Sequence, residues 1–166
     1  MTDRGERACL AIEPRGEDTI GGKTTAHSFL FIKLAEALGI SRDELFATEY
    51  LPTTIIEKNE LFLLQRSSTI EALCGGNIAT ESLNAIHVQR MASALETHYG
   101  VPRAALDFYH VHMEVEGDHA DRAVRILSAL ATSDEAQARG RLAMRRAITA
   151  RRICADGMLA AFVPSR

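Results

Sequence analysis

The stretch of sequence that decides the fold reads HMEVEGDH and covers residues 112–119. If this stretch is helical, at about 100° per residue Glu116 lies roughly 40° and His119 roughly −20° around the helix axis from His112. Two imidazoles and one carboxylate then share a single face of the helix. Such a trio is typical of one half of a transition-metal site, since imidazole and carboxylate are ligands of iron and manganese.

The polar neighbours of this trio provide an internal comparison. His110, Glu114 and Asp118 fall roughly 160°, 200° and 240° from His112, so they are expected to point elsewhere. Apolar residues lie close to the direction of the trio, which favours an inward-facing stripe over a solvated one. They are Phe108, Val115, Ala123 and Leu127.

Glycines and capping residues divide the rest of the chain into helices. A capping box, Thr54-Ile55-Ile56-Glu57, predicts a helix start, and Gly75-Gly76 predicts the end of that helix. Asp107 is expected to cap the helix that carries the trio, and Gly39 and Gly100 are expected to end two others. The predicted helices cover about 24–38, a short turn after Ser41, 54–73, 78–98, 108–131 and 134–162. The fold class is therefore all-α, a helical bundle.

Length and composition bound the class of protein. The chain has 166 residues, of which 46% are hydrophobic, and a net charge of −3, which fits one soluble helical domain over 1–166 with an irregular segment at 1–22. Nothing in this composition favours binding to nucleic acid or to a membrane. Residues 1–7 contain no apolar signal core, so a cytoplasmic location is expected. The three cysteines are widely spaced and are interpreted as reduced thiols.

Two further candidate ligands head apolar stripes on other helices. Glu81 precedes a stripe that continues through Val88 and Ala92, and His27 precedes one that begins at Leu30. A carboxylate buried without a cation or a hydrogen-bond partner costs several kcal/mol. Both residues are therefore candidates for completing the site.

Four segments resemble a known family. EDTIGGKTTAH (17–27) is similar to its acidic, glycine-rich, histidine-ended segment, and LAEALG (34–39) follows it as in the family. Glu81 precedes YGV (99–101), and DFYHVH (107–112) continues into the trio, as in the family's pattern. The chain thus resembles the haem-oxygenase-like diiron oxidases and oxygenases, within the broader fold of thiaminase II and pyrroloquinoline-quinone synthase. The likeness covers about residues 15–130.

The resemblance implies a metal-dependent oxidoreductase. Two Fe(II) ions would use O2 as co-substrate, pass through a peroxo-diferric intermediate, and oxidise a small molecule that is amino-acid-like or carries a carboxylate. Asp18 competes with Glu17 for the first carboxylate position. The implied metal ligands are Glu17, His27, Glu81, His112, Glu116 and His119.

Two departures from the family pattern matter. Glu116 stands where the family usually has an aspartate. The helix or two that usually precede the first ligand segment are also missing, so the expected fold is a shortened bundle. A homodimer in which a partner subunit completes the core, a start downstream of the true one, and a relative without chemistry all remain open.

Other functions compete with the oxidative one. A ferritin-like bundle usually needs ExxH on two helices, and the only ExxH here is Glu116–His119. A cofactor-free enzyme of the same fold could use a cysteine, but Cys74 beside its glycines is interpreted as a structural thiol. A non-catalytic binding or dimerisation module is the third alternative. The arginines of the last helix are interpreted as a solvated face, with anion binding as the less favoured reading.

Overall fold

The computed structural model describes residues 19–20, 23–24 and 27–163, and it describes the side chains of 27–84, 86–113 and 121–163. The regular structure of this part is helical apart from two strands of two residues each, which pair antiparallel with Thr19 opposite Thr24. The all-α prediction is confirmed. In chain order the elements are β1 (Thr19–Ile20), β2 (Lys23–Thr24), α1 (His27–Ala37), α2 (Arg42–Ala47), α3 (Pro52–Gln65), α4 (Thr69–Glu71), a π-helical segment (Ala72–Ile78), α5 (Ala79–Tyr99), a 3₁₀ turn (Arg103–Ala105), α6 (Asp107–Leu130) and α7 (Asp134–Phe162).

Several helix boundaries lie where the capping pattern predicts them. Helix α7 covers the predicted 134–162, and the hydroxyl of Ser133 accepts a hydrogen bond from the backbone N–H of Ala136 at 3.2 Å. Gly39 and Gly100 follow α1 and α5 with φ values of +82° and +66°. A residue without a Cβ adopts this left-handed conformation at no steric cost, which is why glycine ends helices in this way.

The helix predicted over 54–73 is wrong in both its start and its end. Helix α3 begins at Pro52, with Leu51 as an N-cap residue that makes no side-chain cap, and it ends at Gln65. A new helix starts after Ser68, whose hydroxyl receives the N–H of Glu71 while the Glu71 carboxylate receives the N–H of Ser68. This capping box satisfies backbone N–H groups at the start of the new helix, so the chain breaks at 66–68. The predicted box at Thr54 does not form the start of α3, whose N-cap residue is Leu51.

Two smaller boundary predictions also need correction. The first helix begins at His27 and not near Thr24, because Lys23 and Thr24 belong to strand β2. Asp107 is the first residue of α6 and not its cap. Its carboxylate accepts a hydrogen bond from Lys33 Nζ at 2.8 Å, and a negative charge in a first helical turn also complements the helix dipole.

The chain folds into two compact units, with boundaries that fall inside α5 and α6. The first unit comprises residues 1–47 and 92–111. Its core is a cluster of four buried side chains against which Leu95 and Tyr109 pack. The four are Leu34, Val101, Ala105 and Leu106.

The second unit comprises residues 48–91 and 112–166. Its core joins Leu64 of α3 and Cys74 of the π-helical segment to small residues of α7, chiefly Ala143 and Ala147. Small side chains let neighbouring helices approach closely. At Gly140 the approach is so close that a Cβ would lie 2.8 Å from Cys74 Sγ.

No helix of the described residues is long and apolar enough to cross a membrane. The single-domain prediction over 1–166 stays a prediction. The irregular segment expected at 1–22 lies outside the described residues except for Thr19 and Ile20.

Candidate metal centre

Helix α6 runs without a break through the stretch that carries the candidate ligands. Its backbone is α-helical from Asp107 to Leu130, which meets the condition for positions 112, 116 and 119 to share a face. The side chain of His112 is half-buried. The side chains of Glu116 and His119 lie outside the described residues, so their role as ligands stays a prediction.

The described positions on the same face of α6 support an inward orientation. Phe108, one turn before His112, is half-buried, and Ala123, one turn beyond position 119, is buried. Leu127, a further turn along, packs against the core cluster of the second unit. An imidazole at position 112 is therefore at least partly shielded from water, as a metal ligand usually is.

His110 serves as the comparison within the same helix. Its Nδ1 lies 4.0 Å from Oδ1 of Asp107, and its side chain is about a quarter exposed. It therefore contacts the start of α6, and its angular separation from His112 agrees with the expected division of polar residues between two faces. His87 and His98 of α5 are exposed.

Glu81 lies in the first turn of α5 and is half-buried. Asn77 Nδ2 donates a hydrogen bond to its Oε1 at 3.3 Å. Its Oε2 has almost no solvent exposure. Val88 and Ala92, which continue the stripe that Glu81 heads, are both buried as expected. The Glu81 carboxylate therefore lies at the start of the buried face of α5, and the Asn77 amide donates a hydrogen bond to one of its two oxygens.

A π-helical segment precedes Glu81, and sequence reasoning missed it. Ala72–Ile78 forms a wider helix that passes directly into α5. Position 75 of this segment has no room for a side chain, because a Cβ on Gly75 would lie 2.7 Å from Leu64 Cδ1. Single turns of π-helix are rare in proteins, but those that do occur are frequently found at functional sites. Two adjacent glycines inside an otherwise apolar run were the available signal, but they were interpreted as a helix end.

His27 is the first residue of α1 and is exposed, although Leu30 and Leu34 of the same helix are buried. Its ring makes an edge-to-face contact with Phe108, with centroids 6.4 Å apart. Phe31, which follows Leu30 in the same helix, is 44% exposed. The described residues thus place His27 beside the aromatic residue that begins the candidate ligand face of α6.

Glu17, and Asp18 as its competitor, lie outside the described residues. Among the residues that the structure describes, no three His, Cys, Asp or Glu side chains form a group that could hold a metal ion. His27 belongs to the first unit, and Glu81 and His112 belong to the second. The convergence of all six ligands is therefore still a prediction.

Cys74 is a buried thiol, and burial raises its pKa. A raised pKa keeps the sulfur protonated and therefore weakly nucleophilic. Its Sγ packs against Gly140. The structural interpretation of this cysteine agrees with its surroundings, and Cys74 and Cys154 are both free thiols.

One arginine of α7 departs from the expected solvated face. Arg139, Arg145 and Arg152 are exposed, but Arg151 is half-buried. Its Nε donates to Glu57 Oε1 at 3.0 Å and its Nη1 to Asn84 Oδ1 at 2.5 Å. Sequence reasoning did not find this contact, because its partners come from helices far apart in the chain.

Comparison with known proteins identifies the family. Residues 12–152 match the pattern of a protein family described as "iron-containing redox enzyme". This range includes all six candidate ligands. The chain belongs to this haem-oxygenase-like family, and the resemblance found in its motifs is confirmed. Neither the curated proteins nor the solved structures that were compared contain a match.

Proposed function

We propose that this chain is a non-haem diiron enzyme that activates O2 and oxidises a small molecule. Membership of an iron-containing redox family gives the general redox function. The observation that carries the finer proposal is the unbroken helix α6 from Asp107 to Leu130, which holds positions 112, 116 and 119 in register on one face.

The chemistry of the donor set fits iron. Three carboxylates and three imidazoles combine hard and intermediate ligands, which suit Fe(II) better than the softer metals that thiolates select. The described members agree with this use. The carboxylate of Glu81 is shielded at Oε2 and oriented at Oε1 by Asn77, and His112 lies on a half-buried face. Iron bound there would supply the electrons that reduce O2.

The residues of the chain would orient the site and limit the access of water. Asn77 donates to Glu81 and fixes one oxygen of its carboxylate. Phe108 and Ala123 flank the ligand face of α6 with apolar surface. Low water access strengthens the electrostatic interactions of charged ligands.

The charge of the proposed site favours an anionic substrate. Three carboxylates against two Fe(II) ions leave a net charge of about +1 before substrate binds. The carboxylate group of a small molecule would compensate this charge. The ligand set therefore supports a substrate class, a small anionic molecule, rather than one particular compound.

A pair of histidine variants tests the proposal. His119→Ala should lower iron affinity by at least about tenfold, since removing a ligand exceeds the effect of losing an outer-shell partner. His110→Ala is the matched control, because it removes an imidazole from the same helix at a position off the ligand face. Both should retain the helical circular dichroism of the wild type. Full iron content in His119→Ala would refute the assignment.

A further inference from the structure

Helices α3 and α7 leave an open groove between them in the second unit. Its volume is about 520 Å³, and its apolar walls include Ile56 from α3 and Leu142 and Ile153 from α7. These side chains are 49%, 52% and 38% exposed. Large apolar side chains that line one surface together mark interaction sites more often than scattered exposed ones do.

The α7 side of this groove follows a heptad spacing. Beside the buried stripe of small residues, a second stripe of exposed residues recurs at alternating intervals of four and three. This spacing is the one by which two helices pack along their length. Its members are Glu135, Arg139, Leu142, Arg146, Thr149, Ile153, Asp156 and Ala160.

The exposed stripe is self-complementary about a point between residues 147 and 148. Reversing the helix about this point exchanges Leu142 with Ile153 and Arg139 with Asp156. Two antiparallel copies of α7 related by a two-fold axis would therefore set an apolar residue against an apolar one. They would also set an arginine against an aspartate, twice in each dimer.

We propose that this groove is a homodimer interface, in which the exposed stripe of α7 packs antiparallel against the same stripe of a second copy of the chain. Charge complementarity selects this occupant. Arg139 and Asp156 are both exposed, and Asp156 forms a 3.7 Å pair with Arg152 on the surface of its own helix. At the groove itself Arg146 is already paired with Glu60, so its charge is compensated within its own chain when a second copy approaches. The proposal rests on the surface of the second unit and is independent of the proposed function.

Charge exchange tests the register of the interface. The full-length chain is followed by sedimentation equilibrium or by size exclusion with light scattering over a concentration series. Arg139→Asp and Asp156→Arg each create two like-charge contacts per dimer and should each raise the dimer Kd about tenfold. The double variant R139D/D156R restores both pairs with reversed sign and should return the Kd to within about threefold of the wild type.

Arg141→Asp is the matched control. It makes the same charge change on the same exposed helix, but it lies about 100° around the axis from Leu142, off the exposed stripe, and it does not line the groove. Its Kd should stay within about twofold of the wild type. Circular dichroism confirms that each variant is folded.

Three results would overturn the proposal. The wild type could be monomeric at all concentrations, even if the groove binds an added acidic peptide or a lipid vesicle. A dimer could form with a Kd that neither single variant changes. The folded double variant could remain as weak as the single variants, which would exclude the antiparallel register.

Discussion

Arg151 Nη1 donates a hydrogen bond to Oδ1 of Asn84, which lies one helical turn beyond Glu81 on α5. The same guanidinium holds Glu57 of α3 through its Nε. One side chain of α7 thus ties down two other helices of the second unit. One of these helices carries a candidate iron ligand, so Arg151 contributes to the rotational position of that ligand.

Replacing Arg151 by Met should lower the free energy of unfolding by about 1–3 kcal/mol. The half-buried Glu57 carboxylate and the Asn84 amide oxygen would each lose a donor, while the apolar stem would be kept. Urea denaturation gives the value. Arg152→Met is the control, because Arg152 is exposed and its pair with Asp156 lies on the surface. Equal stability of the two variants would contradict the anchoring role.

Gly140→Ala should destabilise the second unit by about 1–3 kcal/mol, because the added methyl would overpack the core. The new Cβ would lie 2.8 Å from Cys74 Sγ. In the double variant G140A/C74A the smaller side chain at position 74 makes room, so part of the loss should be recovered. A double-mutant cycle by chemical denaturation measures this coupling. A Gly140→Ala variant as stable as the wild type would show that α7 and the π-helical segment are not in close contact.

Ser68→Ala should cost about 1 kcal/mol, because it removes the cap of the helix that begins at Thr69. Thr54→Ala should cost less, since Thr54 lies inside α3, whose N-cap residue is Leu51; the Thr54 hydroxyl contacts Cys154 Sγ at 3.5 Å. Thermal unfolding of the two variants distinguishes the observed break at 66–68 from a continuous helix. A larger loss for Thr54→Ala would contradict the observed boundary.

The contribution of this cap should depend on pH. The hydrogen bonds from Ser68 lower the pKa of Glu71 below its ordinary value. A lowered carboxyl pKa adds stability that is fully present above the unfolded pKa of about 4.3 and is lost as pH falls through the folded pKa. The stability difference between the wild type and Ser68→Ala should therefore shrink between about pH 6 and pH 3. A difference that grows on acidification would contradict this sign.

Local signals predict the outline of the fold well. Ser133, Gly39 and Gly100 act through their own backbone neighbourhood, so the ends that they define could be found from sequence. Gly75 has a different purpose. It gives room to Leu64, which the sequence does not place beside it, and a helix-ending glycine was therefore the wrong interpretation.

The candidate site likewise has one part that local sequence predicts and another part that it does not. The shared face of positions 112, 116 and 119 depends only on helical geometry, and helix α6 meets that condition. The arrangement of Glu81 depends on the π-helical segment before it and on Asn77, which periodicity does not reveal. The convergence of ligands from several segments is a long-range property, which a family pattern indicates better than local spacing does.

The most direct test of the central claim is the iron content of the wild-type chain after anaerobic loading with Fe(II). Elemental analysis follows removal of free metal, and the visible spectrum is then recorded on mixing with O2. A dinuclear site predicts about two irons per chain and a visible band that appears as O2 is consumed and then decays. Iron that is lost with the free metal, with no spectral change on mixing with O2, would contradict the diiron account.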